Sequence, residues 1–246
     1  MKFTDSPVIE LPIRDAVLSI QQDNGSMHVG TSVWPCSLVL AKFVERWTPP
    51  LPAPTSTSTS NSNSNSNINN NDNNPYADLL DFRSERRRAI ELGTGCGAAG
   101  MALYLLGLVD IVLTDISPVM PALKHNLKRN KPVLNKALKT SVLYWNNRDQ
   151  IRSLNPPFDV VIAADVVYIE ESAVQLLGAM EELVSDDGVV LLGYQLRSPE
   201  AHKLFWELCE KAFVIEKVPH EDLHPDYCYE EADVYILKKK KKENVD

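Results

Sequence analysis

Cysteine and long apolar runs are both scarce in this chain of 246 residues. The four cysteines, Cys36, Cys96, Cys209 and Cys228, stand far apart and form no CxxC pair. This pattern argues against a disulfide scaffold and favours a reducing compartment. The longest strongly apolar stretch, Met101–Val109, is about half of the ~20 residues that cross a bilayer. The N-terminal segment carries acids and prolines instead of the apolar region of a secretory signal. We therefore expect a soluble, cytoplasmic protein with no membrane partner.

Positive charge is also in deficit. Lys+Arg 25 against Asp+Glu 33 leaves a net charge of −8, so the chain is not predisposed to bind nucleic acid, which rewards clustered positive charge. The basic run Lys238–Lys242 is interpreted as a solvated tail, with a nuclear-import signal, and hence nuclear access, as the weaker alternative. Apolar residues make up 44% of the chain, which is enough for a large core. We expect a monomer.

Composition divides the chain into four parts. Residues 1–50 predict an N-terminal extension, with a strand over Ala16–Gln22 and a helix from near Ser37, that packs on the main domain. Residues 51–80 are mostly Pro, Thr, Ser and Asn; such a segment cannot bury enough apolar surface to offset its ordering entropy, so it is predicted to be a disordered insert. Residues 81–238 form the main domain and residues 239–246 a Lys-rich tail.

Strand-like and helix-like segments alternate along the main domain. This alternation predicts an α/β fold in which helices cover both faces of a parallel sheet, with ligands at the carboxyl ends of the strands. Ser117 is predicted to cap the helix that follows the second strand. The predicted strands are RRRAIEL, Asp110–Asp115, Leu138–Trp145, Phe158–Asp165, VVLLGYQL, FVIEKV and DVYIL, and helices are predicted at 97–107, from 117, before the turn at 186–188, and from Pro199 to about Ala212.

A glycine loop joins the first predicted strand of the main domain to the first helix. Gly95, Gly97 and Gly100 fit GxGxxG, which by itself is weak support for a dinucleotide site. Glu91 lies two residues before Gly93, and a carboxylate there would repel a pyrophosphate and attract an ammonium group. The loop therefore favours a ligand that has a cationic end and no phosphates.

Asp115 ends the second strand about 20 residues after the loop, where a carboxylate can accept both hydroxyls of a ribose. A ligand with a ribose, an adenine, an amino-acid end and no phosphates is S-adenosylmethionine. The alternative is that the glycines serve only helix–sheet packing and that Asp115 is a solvated strand end.

These residues resemble a known family. The E-x-G-x-G-x-G loop with Asp115 is similar to class I, seven-β-strand methyltransferases, and GTSVWP, LYW and AADVVY together resemble methyltransferase family 16, the cytosolic protein-lysine methyltransferases. The resemblance implies a Rossmann-like, mostly parallel seven-stranded sheet whose last strand inserts antiparallel between its neighbours, so residues 81–238 would be a class I methyltransferase domain. It also implies S-adenosylmethionine as methyl donor and a protein lysine, for example of a chaperone or translation factor, as acceptor.

Asp165 and Tyr168 match the D-x-x-Y motif of the family at the end of the fourth strand. We expect them to be the catalytic residues: Asp165 would orient the incoming ammonium and Tyr168 would shape the channel. The alternative makes Asp165 a helix N-cap and Tyr168 a packing residue. The predicted cofactor-binding residues are Trp34, Glu91, Gly93, Thr94, Gly95, Asp115, Trp145 and Ala164.

Three of these residues depend on the resemblance. The family tryptophan that matches Trp34 contacts the cofactor, although Pro35 stands where many members have an acidic residue. Trp145, predicted to end the third strand, would stack on the adenine. The small residue Ala164 would let the backbone approach it.

Other functions stay open at this point. The acceptor could be another protein nitrogen or a small molecule, or the chain could be a catalytically inactive binding module. Methylation of a nucleic-acid base is less favoured because AADVVY lacks the [ND]-P-P-[YF] motif. His220, His224 and Cys228 suggest zinc by their spacing, but the intervening prolines and the absence of an evident fourth ligand argue against it, and no metal is expected.

Overall fold

The computed structural model describes residues 6–23, 25–49, 74–82 and 87–241. Within them the strands are β1 (Val8–Ile13), β2 (Ala16–Gln21), β3 (Arg88–Leu92), β4 (Asp110–Asp115), β5 (Lys139–Val142), β6 (Phe158–Ala164), β7 (Val184–Gln195), β8 (Phe213–Lys217) and β9 (Ala232–Lys239). The helices are α1 (Pro35–Trp47), α2 (Ala77–Leu80), α3 (Ala98–Leu105), α4 (Met120–Arg129), α5 (Lys131–Leu134), α6 (Arg148–Ser153), α7 (Glu170–Leu183) and α8 (Pro199–Ala212). None of these helices is long and apolar enough to span a membrane.

Seven strands form the central sheet in the order β5-β4-β3-β6-β7-β9-β8. The pairs from β5 to β7 are parallel, and β9 lies antiparallel between β7 and β8. The Rossmann-like α/β fold and the antiparallel insertion of the last strand are therefore confirmed.

Helices cover both faces of this sheet, as predicted. Successive residues of a strand point to opposite faces, so Val160 and Ile162 of β6 join one apolar core while Val161 and Ala163 join the other. The first core includes residues of α1 and α3, and the second includes residues of α7 and α8. Because every central strand is buried on both faces, its sequence is almost continuously apolar.

The N-terminal extension begins with a hairpin of β1 and β2 that the predicted strand over Ala16–Gln22 covered only in part. Two buried asparagines attach it to the main domain: Asn126 in α4, and Asn130, which directly follows this helix. The side-chain amide of Asn126 bonds both the N–H and the carbonyl of Gln21 at 2.8 and 3.0 Å. Asn130 does the same to Ser19 at 2.8 and 2.9 Å. The two amides thus satisfy the free edge of β2 in place of another strand.

The insert boundary predicted at residue 80 lies within the described residues 74–82. Tyr76 and Leu80 are buried, and the Tyr76 ring packs edge-on against Phe43 and Trp47 of α1 with centroids 5.0 and 5.3 Å apart. Tyr76, Leu80 and Phe82 therefore belong to the core and not to the insert. The predicted disorder of 51–73 concerns residues outside the described ones.

Four predicted boundaries are wrong. Ser117 does not cap a helix, because α4 begins at Met120 with Val119 at its N-cap position. Strand β5 ends at Val142, so Trp145 lies beyond it. Helix α7 passes directly into β7 at Val184 without a break at 186–188. The basic run of the C-terminus begins inside β9, which extends to Lys239.

Candidate active site

A cavity of about 460 Å³ opens at the carboxyl ends of β3, β4 and β6, within the size range of small-molecule sites. Nine of the ten predicted site residues line it, and Glu91 is the exception. The segment between β2 and α1 forms the remaining wall. The predicted residues in the lining are Trp34, Gly93, Thr94, Gly95, Asp115, Trp145, Ala164, Asp165 and Tyr168.

The glycine loop needs glycine at two positions for conformation and for space. Gly93 and Gly95 have φ values of +65° and +55°, where side chains are strained. A Cβ at Gly95 would lie 2.8 Å from the carbonyl oxygen of Gly30, and one at Gly93 would lie 2.8 Å from Val166. The loop is therefore held between the N-terminal segment and the end of β6. The sequence offered Gly30 within GTSVWP, but its contact with the loop was missed.

Glu91 lies beneath this loop and does not reach the cavity. Its carboxyl group is buried, hydrogen-bonded to the Thr94 hydroxyl and to the backbone N–H of Gly100. Burial raises the pKa of Glu91 to about 8, against the opposing effect of the Thr94 bond. The structure therefore does not bring the Glu91 carboxyl group to the cavity, where it was predicted to attract a ligand ammonium. Glu91 supports the fold of the loop instead.

Asp115 lies where the sequence placed it, at the end of β4 and in the cavity wall. Its two carboxylate oxygens accept the backbone N–H groups of Gly95 and Ile116, both at 2.7 Å. Burial raises the pKa of Asp115, and these two bonds oppose the increase. Because a carboxylate has about four acceptor positions, two remain for hydroxyl groups of a ligand.

Asp165 is bound by a residue that the sequence analysis missed. Arg197 donates to its two carboxylate oxygens from Nε at 2.8 Å and from Nη2 at 2.6 Å. The Asp165 side chain is only 2% exposed, and the φ of this residue is +61°. Asp165 is not a helix N-cap, since Ile169 holds that position in α7. Arg197 follows β7, and its position at the carboxyl edge of the sheet was the available signal.

The same arginine contacts the N-terminal wall. Its guanidinium lies 4.8 Å from the centre of the Trp34 ring, and the indole N–H of Trp34 donates to the carbonyl of Val29 at 2.9 Å. At the start of α1, burial first and the Asp165 charge second raise the pKa of the Cys36 thiol. Trp34 and Cys36 therefore lie next to the ion pair that Arg197 forms with Asp165.

The remaining predicted residues frame the opposite side. Trp145 packs beside Gly93, with Cζ2 3.4 Å from the position of a Cβ there. The Tyr168 ring is partly exposed at the mouth, and burial together with the negative Asp115 raises the pKa of its hydroxyl. Tyr168 therefore stays protonated at neutral pH and can donate a hydrogen bond.

The charge of the wall is one-sided. Among the described residues that line the cavity there is no lysine or arginine, whereas Asp115 and Asp165 are both present. A phosphate-bearing ligand would find no cation here. His220, His224 and Cys228 are not among the residues of this wall. His224 accepts the backbone N–H of Asp226, and the Cys228 thiol donates to the carbonyl of Pro225.

Comparison with known proteins identifies the class. A family model described as lysine methyltransferase matches residues 13–212, and the chain belongs to this family. Protein N-lysine methyltransferase METTL21A of Danio rerio is 33% identical over 142 residues, covering 56% of this chain and 64% of the relative. EEF1A lysine methyltransferase 3 of Mus musculus is 28% identical, and the match covers 58% of this chain and 60% of the relative. The match thus spans less than two thirds of each relative's length.

Solved structures support the fold. An O-methyltransferase family protein from Burkholderia thailandensis superposes with a TM-score of 0.50 at 12% identity, covering 64% of this chain and 52% of that one. The mitomycin 7-O-methyltransferase MmcR superposes with a TM-score of 0.50 at 14% identity, covering 65% of this chain and 50% of that one. At this identity the likeness extends to the sheet and its helices and not to the acceptor.

Proposed function

We propose that this protein is an S-adenosylmethionine-dependent methyltransferase that acts on the ε-amine of a protein lysine. The observation that carries the proposal is the cavity at the carboxyl edge, where the glycine loop meets Asp115 in a wall without lysine or arginine. Membership of the lysine methyltransferase family supports the choice of acceptor.

The residues present fit the methyl donor. Asp115 has acceptor capacity left for the two ribose hydroxyls, since each of its oxygens accepts one backbone N–H. The indole of Trp145, beside Gly93, can stack on an adenine. The cation-free wall suits a ligand without phosphates. When bound, S-adenosylmethionine supplies a methyl group on a sulfonium sulfur. An amine can take this methyl group by displacing the sulfur directly.

The chain's part in such a displacement is to hold the acceptor in line, exclude water and favour the free amine. A lysine has a reference pKa of about 10.4 and arrives charged. Tyr168 keeps its proton, so it acts as a hydrogen-bond donor and as a wall rather than as a base. Asp165, with both oxygens bonded to Arg197, positions the incoming ammonium, and the Arg197 charge offsets its own negative charge.

The acceptor protein is proposed from the relatives. The Mus musculus relative is named for EEF1A, so a translation elongation factor is the first candidate, with a chaperone as the second. We further propose that the enzyme acts as a monomer in the cytoplasm, with access to the nucleus, on neither nucleic acid nor membranes.

Two measurements test the proposal. Calorimetric titration with S-adenosylhomocysteine is expected to give a dissociation constant of about micromolar order, that is about −8 kcal/mol. Incubation with donor labelled in its methyl group and a methylation-deficient cell extract is expected to label a protein band, with the label on lysine. Binding without labelling would favour an inactive binding module, and label on another residue type would change the acceptor.

A further inference from the structure

The mouth of the cavity collects exposed apolar side chains. Ten large apolar residues are well exposed in the described part of the chain, and five of them line this one cavity. Isolated apolar residues on a surface are ordinary, whereas a group of them marks an interaction site. We call this group the apolar rim; its members are Met27, Val29, Tyr144, Tyr168 and Ile169.

The rim is assembled from three separate segments of the chain. Met27 and Val29 follow β2, Tyr144 follows β5, and Tyr168 and Ile169 follow β6. Their convergence is therefore a property of the fold and not of a single apolar stretch. Met27 is 95% exposed, so its side chain contributes almost nothing to the core of the protein itself.

A lysine that enters the cavity must pass this rim. Its ammonium is carried on a four-carbon stem, so the backbone of the acceptor has to approach closely. The side chains next to the lysine then lie against the rim. Apolar side chains in those places remove apolar area from water on both partners, whereas polar ones would lose hydration without gaining partners.

Given the proposed function, we propose that the apolar rim docks the acceptor protein through apolar side chains that flank the target lysine. The lining favours the lysine by charge, since it contains carboxylates and no described cation. The rim adds selection among lysines: one with exposed apolar neighbours is methylated, and one surrounded by charged side chains is not.

Two rim positions and two matched positions test this inference. Ile169→Ser and Met27→Ser remove rim side chains, and serine is well suited to the N-cap position that Ile169 occupies in α7. Val174→Ser in the same helix and Val214→Ser on β8 are the controls, because Val174 and Val214 are 52% and 56% exposed and lie outside the cavity. Each variant is assayed for labelling of the band in a methylation-deficient extract and for affinity toward S-adenosylhomocysteine.

We expect each rim variant to lower the initial rate of labelling at limiting extract by about tenfold, as for residues at the centre of an interface. Its affinity for S-adenosylhomocysteine should stay within about twofold of the unmodified protein, a difference well below 1 kcal/mol. The controls should change neither quantity. Mapping the labelled lysine by mass spectrometry should find apolar residues beside it.

The outcomes separate the rim from the activity. If the unmodified protein labels nothing, the proposed function fails, and the rim proposal with it. If the unmodified protein labels a band, and the rim variants label it at the same rate as the control variants, the rim is not a docking surface. If the rim variants lose affinity for S-adenosylhomocysteine as well as labelling, the rim belongs to the cofactor site instead. A labelled lysine that is flanked by charged residues would also overturn the proposal.

Discussion

The carboxylate of Asp165 and the guanidinium of Arg197, 32 residues apart in the chain, meet through two parallel hydrogen bonds of 2.8 and 2.6 Å. This geometry is the strongest form of ion pair between these residue types. It makes Asp165 a carboxylate whose charge is already compensated before an acceptor arrives. A target ammonium that approaches Asp165 therefore also meets the positive charge of Arg197.

Replacing Arg197 alone should lower the stability of the protein more than replacing both Arg197 and Asp165. Arg197→Gln leaves the Asp165 carboxylate buried without its cation, which we expect to cost about 3 kcal/mol of unfolding free energy. Adding Asp165→Asn removes the buried charge and should recover about half of this loss. Urea denaturation of the single and double variants measures the coupling. Strictly additive effects would mean that the pair contributes nothing beyond its separate side chains.

Gly93 should be essential for cofactor binding, whereas Gly178 in α7 should not. Gly93→Ala places a Cβ 2.8 Å from Val166 at a φ of +65°, so the loop must shift. We expect a loss of at least about tenfold in affinity for S-adenosylhomocysteine, or about 1.4 kcal/mol. Gly178→Ala in α7 is the control, since nothing lies within 4 Å of its Cβ position. It should keep the affinity and stabilise the helix by up to about 1 kcal/mol. Equal affinities of the two variants would remove the loop from the binding site.

Glu91 should make stability fall as the pH rises. Its pKa is about 8 in the folded protein against an ordinary value of 4.5, so between these values the folded state holds a proton that the unfolded state releases. Stability is then lost as pH rises through this window. Glu91→Gln removes the titration, so its stability relative to the unmodified protein should improve by more than about 1 kcal/mol between roughly pH 5.5 and 8.5.

Thermal or urea denaturation at both pH values measures this difference. Glu207→Gln, at an exposed position of α8, is the control and should show no such trend. A difference between Glu91→Gln and the unmodified protein that stays constant with pH would show that Glu91 is charged in the fold.

Asn126 should be a stability residue and not a functional one. Asn126→Ala removes two hydrogen bonds from the backbone of Gln21 and leaves its groups without partners, which should cost about 2 kcal/mol. Lys124→Ala on an exposed position of the same helix should cost less than about 0.5 kcal/mol. A thermal denaturation series compares them, and similar melting temperatures would mean that the hairpin is held by its apolar contacts alone.

Local patterns carried much of the fold. The strands of the central sheet were predictable because burial on both faces makes their sequences apolar throughout, as in β6. Strand β1 alternates Ile9, Leu11 and Ile13 toward the core, a period-two signal that was present but not used. The cap at Ser117 failed because Pro118 lies in a turn before α4 and not in its first turn.

The site was predictable where its residues follow strands. Asp115 and Ala164 lie at the carboxyl edge, because parallel strands end on the same side of a sheet. The ion pair of Asp165 with Arg197 and the contact of Gly30 with Gly95 join distant parts of the chain. No spacing rule reveals such pairs from one sequence. Glu91 shows the opposite error: its position was predicted, but its burial and protonation depend on packing.

The chain leaves α1 and returns to the core at nearly one point, since the side-chain amide of Asn74 donates to the carbonyl of Trp47 at 2.9 Å. Once the two ends are pinned together, each doubling of the intervening length costs only about 0.6 kcal/mol. Residues can therefore be gained or lost between them over evolutionary time with little thermodynamic consequence. The same junction is a convenient place to insert a fluorescent reporter.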